Sequence, residues 1–136
     1  MKHILTCSFG KDSIATALLA LQHGEPLDEL VYSEVMFSDT VSGELPEHKR
    51  FIYETAIPYF EKRGIPTRVL RGQKTYLDCF YRIVSRGNAE GKLASFPLTG
   101  RCSIQRDCKL PPIRTYQKTL PQDTVYSVSY THLTLP

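Results

Sequence analysis

Six residues near the start of the chain, Ser8-Phe9-Gly10-Lys11-Asp12-Ser13, bring two hydroxyls, a glycine, a cation and a carboxylate into one short stretch. Between a strand and a helix, such a stretch turns its backbone amides toward an anion, and the helix dipole adds attraction for phosphate. Ser8 and Ser13 supply hydroxyl donors, Lys11 a positive charge, and Gly10 a close backbone approach. Asp12 is the odd member. Beside a phosphate its carboxylate is repulsive unless it caps the helix or holds a divalent cation such as Mg²⁺. The Gly-x-x-x-x-Gly-Lys-Ser/Thr spacing of the Walker loop is absent, so phosphate binding here requires a different cradle.

The flanking sequence supplies the elements that such a cradle needs. His3-Ile4-Leu5-Thr6-Cys7 reads as a buried first strand, and Cys7 on it as a core residue. From Asp12, apolar residues Ile14, Ala17, Leu18 and Leu21 fall at helical spacing until Gly24 and Pro26. Leu30 to Phe37 is expected as a second strand, ending at Ser38-Asp39-Thr40. Pro46 opens a second helical stretch with Phe51, Ile52, Thr55, Ala56, Tyr59 and Phe60 on one face, kinked at Pro58 and closing at Lys62-Arg63-Gly64. Thr67 to Leu70 is a third strand, Tyr76 to Val84 carries helical spacing, and Thr124 to Val128 is a candidate fourth strand. Asn88 to Pro112 shows no clear period and reads mainly as loop, with at most a short helical turn.

This alternation predicts an α/β fold: an open, mainly parallel sheet with helices on both faces and right-handed crossovers. Ligands in such sheets bind beyond the carboxyl ends of the strands. Residues 8–13, 38–43 and Arg71-Gly72 fall at those ends.

At 136 residues, 41% hydrophobic and 23% charged, the chain suits one domain, and its net charge of +3 is too diffuse to select a nucleic-acid partner. The start shows no signal-peptide pattern, and no apolar run approaches the ~18 residues of a membrane span. A cytoplasmic protein with no membrane partner is therefore expected, its four cysteines reduced. The last nine residues, from Val128 to Pro136, match one reading frame of a sequencing-library adapter. They are expected to be a non-native tail on a domain of residues 1–127 that is incomplete at its C-terminal end.

The loop resembles the PP-loop, Ser-Gly-Gly-x-Asp-Ser, of the adenine nucleotide α-hydrolase-like superfamily, and within it the phosphoadenosine phosphosulfate (PAPS) reductase family. Phe37 to Glu47 is similar to the second-strand signature of that family, and Gly100-Arg101-Cys102 with Lys109-Leu110-Pro111-Pro112 to its later Cys and Lys-x-x-Pro segment. Phe9 departs from the first glycine of the motif, so the position must either keep a negative φ or bear strain. The resemblance implies a Rossmann-like three-layer fold and an adenine nucleotide (PAPS, adenylyl sulfate (APS) or ATP) held by residues 8–13, with adenine near Phe37 to Asp39. Asp39 has an alternative role as a turn cap. Arg71, Arg101 and Lys109 are candidates for sulfate or phosphate contact, or are solvated surface charges.

For the reaction, the resemblance implies sulfonucleotide reduction or related sulfur transfer, with thioredoxin or glutaredoxin as partner. The family's nucleophilic cysteine lies near its C-terminus, and none of the four present here takes that role by position. Cys102 and Cys108 sit among Arg101, Arg106 and Lys109, a setting that lowers a thiol pKa and suits reactivity or metal ligation. Two free thiols in a loop is the alternative. An iron–sulfur cluster, present in some relatives, needs more ligands than these two. Two other functions share the cradle: ATP-dependent adenylation with pyrophosphate release, and a non-catalytic nucleotide-binding module of a nucleic-acid sulfur-modification system.

Overall fold

A computed structural model of the chain describes residues 1–95 and 102–128. β1 (His3–Thr6), β2 (Glu29–Ser33), β3 (Thr67–Leu70) and β4 (Val125–Val128) form one parallel sheet in the order β3-β2-β1-β4. Leu5 pairs with Leu30 on one side of β1 and with Ser127 on the other. The strand order therefore reverses at β1: β2 and β3 build outward on one flank, and β4 returns to the other. The loop leaving β1 lies at that switch point, where open α/β sheets bind ligands. Val128, assigned above to the adapter-like tail, pairs with Thr6 as the last residue of β4, while residues 129–136 lie outside those described.

The chain divides into two compact units. The first comprises Met1–Tyr32, Pro46–Leu70 and the segment from Lys118. In it, α1 (Lys11–His23) ends at Gly24, whose φ of +66 provides the left-handed cap and directs its N–H back to Ala20 and Leu21. Residues 46–61 run as α2 (Pro46–Phe51), a π-helical turn (Ile52–Ala56) and α3 (Ile57–Glu61). The Ile57 N–H bonds to the Ile52 carbonyl, five residues back. Pro58 has no N–H to offer Glu54 and its ring crowds that carbonyl, so the helix widens by one residue just before it. Ile52, Ala56 and Phe60 form the buried stripe, packing with Ala17 against Leu5, Cys7, Leu30 and Tyr32. Phe51 and Tyr59, expected on the same face, are exposed, so the apolar stripe is narrower than its sequence suggests.

The second unit, Ser33–Leu45 and Arg71–Gln117, departs further from the sequence reading. β2 ends at Ser33 because Met36 turns back to pair antiparallel with Ser42. Gly43 closes that turn through its N–H to the Val35 carbonyl, where an added Cβ would stand 2.7 Å from the same oxygen. α4 (Tyr76–Phe80) opens on a capping box between Thr75 and Asp78, and stops short of Val84 because Ile83 pairs with Leu93. The expected loop up to Pro112 is helical from Ser103, and a π-helical turn (Gln105–Lys109) runs into α5 (Leu110–Gln117). Pro111 and Pro112 read as breakers, yet they stand in the first turn of α5 behind a widened turn in which the Leu110 N–H reaches Gln105. This is the same accommodation that precedes Pro58. Among the described residues no helix is long and apolar enough to cross a membrane.

Candidate functional site

β1 delivers its chain into the loop with Cys7 held by its N–H to the Val31 carbonyl at 2.9 Å. Phe9 then takes φ +59, the left-handed conformation that glycine adopts freely. The backbone thus bears the strain named above. Strain of this kind costs about 1–2 kcal/mol in an L-residue, whereas burying a phenylalanine contributes roughly 1.5–3 kcal/mol. Phe9 is 1% exposed and meets Tyr32 edge-on at 5.4 Å, so packing outweighs strain and the side chain points into the core.

Gly10 is the N-cap of α1 and contributes no side-chain cap, leaving the amides of the first turn uncapped by it. Lys11 is exposed and makes no ion pair among the described residues. Ser8 is exposed, but Ser13 is buried: its hydroxyl donates to the Gly10 carbonyl at 3.1 Å and lies 3.4 Å from the Ser8 hydroxyl. Ser13 is therefore a brace inside the loop rather than a donor facing outward. Asp12 sits in the first turn of α1 and is not the cap, which removes one of its two expected roles. Burial pushes the Cys7 thiol up, with hydrogen bonds from Ser13 and the Phe9 backbone offsetting part of that, so Cys7 is a core group.

In the second unit, Asp39 is exposed on the turn 38–41, and Ser38 makes the cap, accepting the Val41 N–H at 3.1 Å. Arg71 donates through Nε and Nη2 to Oε1 of Glu34, at 3.2 and 2.8 Å, and Glu34 is wholly buried. Arg71 is thus an anchored cation and not a freely solvated one. The Lys109 carbonyl accepts the Ser33 hydroxyl at 2.9 Å. Arg101 lies outside the described residues.

The two paired cysteines separate. Cys102 is exposed, its sulfur accepting the Gln105 N–H at 3.4 Å, whereas Cys108 is buried with its sulfur 3.4 Å from that of Cys79. The basic setting does not lower the Cys108 thiol. Burial first, then the Cys79 sulfur and the Asp107 and Asp78 carboxylates, push it up to about 12. Arg106, counted from the sequence as a stabilising cation, is held bidentate by Asp107 at 2.8 and 2.9 Å. Gly72 packs against this turn: an added Cβ would lie 2.7 Å from the Cys108 carbonyl. Pro112, four residues on, supplies no N–H for that carbonyl.

Glu34, Cys79 and Ser33 were given no role by the sequence, and Gly72 was placed only at the end of the third strand. Each gains its role from a partner 36 or more positions away, or 29 for Cys79, which no local pattern encodes. Among the described residues no group of three or more His, Cys, Asp or Glu could hold a metal ion. Comparison with family models, curated proteins and solved structures gives no match to the chain.

Proposed function

We propose that residues 8–13 cradle the phosphate groups of an adenine nucleotide, and that the protein acts as a PP-loop enzyme of PAPS reductase type in sulfonucleotide reduction or related sulfur transfer. The observation that carries this reading is Phe9. Its φ of +59 keeps the turn that the motif reserves for glycine, at the switch point of a parallel sheet, with the bulky side chain turned inward. Gly10 and the first-turn amides of α1 face the phosphates, Lys11 supplies the positive charge, Ser8 donates its hydroxyl, and Ser13 holds the loop in shape. Donors fixed before the substrate arrives stabilise negative charge as it develops on a departing phosphate group, without reorganising.

The position of Asp12 favours a second reading, ATP-dependent adenylation. A carboxylate beside the loop and not used as a cap fits Mg²⁺ held jointly with phosphate oxygens. The metal would neutralise charge on departing pyrophosphate. Supply of PAPS or of ATP with Mg²⁺ to the full-length gene product distinguishes the chemistries. Sulfite release, with thioredoxin or glutaredoxin as reductant, supports reduction; pyrophosphate release supports adenylation. Nucleotide binding without either product points to the non-catalytic module, for which a salt-dependent affinity for nucleic acid is the further sign.

A further inference from the structure

The cysteine pair built by the fold is Cys79 with Cys108, not Cys102 with Cys108. Cys79 lies on α4, Cys108 lies 29 residues later in the second π-helical turn, and their sulfurs are 3.4 Å apart. Ile104, Val35 and Tyr76 pack around them, and the two residues are 2% and 1% exposed. Both backbones are fixed independently of the sulfurs. The Thr75–Asp78 capping box holds the start of α4, and the close approach of Gly72 holds the Cys108 carbonyl. A disulfide needs its sulfurs about 2.0 Å apart, so closing the pair takes about 1.4 Å of sulfur movement.

We propose that Cys79 and Cys108 form a reversible dithiol site that low-molecular-weight disulfides oxidise to an intramolecular disulfide. One cysteine, as thiolate, attacks a sulfur of the reagent, forming a mixed disulfide and expelling one reagent thiolate. The neighbouring cysteine then attacks the protein sulfur of that mixed disulfide, forming the Cys79–Cys108 bond and expelling the second reagent thiolate. The two protons given up by the protein thiols end on the two reagent thiols, so the protein loses two electrons and the reagent gains them. Burial slows the first attack. Contact between the sulfurs makes the second intramolecular and fast, so the mixed disulfide does not accumulate at this pair. Among the described residues, exposed Cys102 has no such neighbour in its hydrogen-bonded position at the helix start, and it is expected to stop at the mixed disulfide.

The test is to incubate the folded chain with oxidised glutathione, digest it without reduction, and map the cysteines by mass spectrometry. The expected result is a linked Cys79–Cys108 peptide that has lost two hydrogens, reverts with dithiothreitol, and persists in Cys102→Ser. Cys79→Ser and Cys108→Ser should each abolish it. Should a serine variant fail to fold, the linkage map of the unaltered chain decides alone. Free Cys79 and Cys108 thiols after oxidation to equilibrium, or a linkage through Cys102 or Cys7 instead, would overturn the proposal.

Discussion

Phe9 and Gly72 answer opposite demands of the backbone. At Phe9, in the loop after β1, the chain takes a glycine conformation without a glycine, and burial of the side chain against Tyr32 holds it there. At Gly72, in the second unit, the backbone needs no left-handed φ, yet the Cys108 carbonyl leaves no room for a Cβ. One position is constrained by torsion and tolerates bulk; the other is constrained by bulk and tolerates ordinary torsion. Residue type alone would have assigned the two constraints the other way round.

Substitution at Phe9 should give the largest effect. Phe9→Ala removes a buried aromatic ring and keeps the strained φ, so unfolding free energy is expected to fall by about 3–5 kcal/mol in denaturant titration. Phe9→Gly loses the same packing but relieves the strain, and should be about 1 kcal/mol more stable than Phe9→Ala. That order is the reverse of the usual one at ordinary backbone positions. Equal stabilities would remove the torsional half of the comparison.

Gly72→Ala should cost about 1–3 kcal/mol, the usual penalty for overpacking a closed contact. Pro112→Ala in the same background offers the Cys108 carbonyl a helical N–H and provides no relief at the 2.7 Å clash, so the double variant should be no more stable than Gly72→Ala. Recovery of stability in the double variant would show that the proline ring, 3.4 Å from the added Cβ, is the obstacle.

The smallest effect belongs to the pair beside Cys108. Hydrogen bonds from Arg106 hold the Asp107 carboxyl below its ordinary range. A depressed carboxyl pKa contributes stability that is present above the unfolded value of about 4 and is lost as pH falls through the folded value. Asp107→Asn should therefore be slightly less stable than the unaltered chain at pH 7, near the limit of detection for a solvent-screened pair. The difference should begin to shrink as pH falls through about 4 and vanish below the lower, folded pKa of Asp107 in a stability series over acidic pH.

Much of the first unit was legible because its determinants are local. A strand, a Ser-x-Gly-Lys-Asp-Ser turn and a helix stopped by Gly24 follow one another within residues 3–24, and period and punctuation alone locate them. The parallel α/β architecture followed from the same alternation, and β4 was a candidate from its own residues. The inward role of Ser13 was not legible, because residue type does not say whether its hydroxyl turns to the Gly10 carbonyl or outward. In the second unit the helix of residues 103–117 was hidden by two prolines whose steric demand is met by a π-helical turn just ahead of them. The raised Cys108 thiol was hidden for a related reason: the adjacent cations are visible in sequence, while burial against Cys79 is a tertiary property.

Calorimetric titration of the chain with ATP, PAPS and adenosine, repeated for Lys11→Ala, tests the phosphate cradle most directly. The cradle requires ATP or PAPS to bind at least about tenfold more tightly than adenosine, a difference of ~1.4 kcal/mol, and Lys11→Ala to remove most of that preference while leaving the fold intact. Equal affinity for adenosine and the phosphorylated ligands, or no binding of any of them to the folded chain, would contradict it.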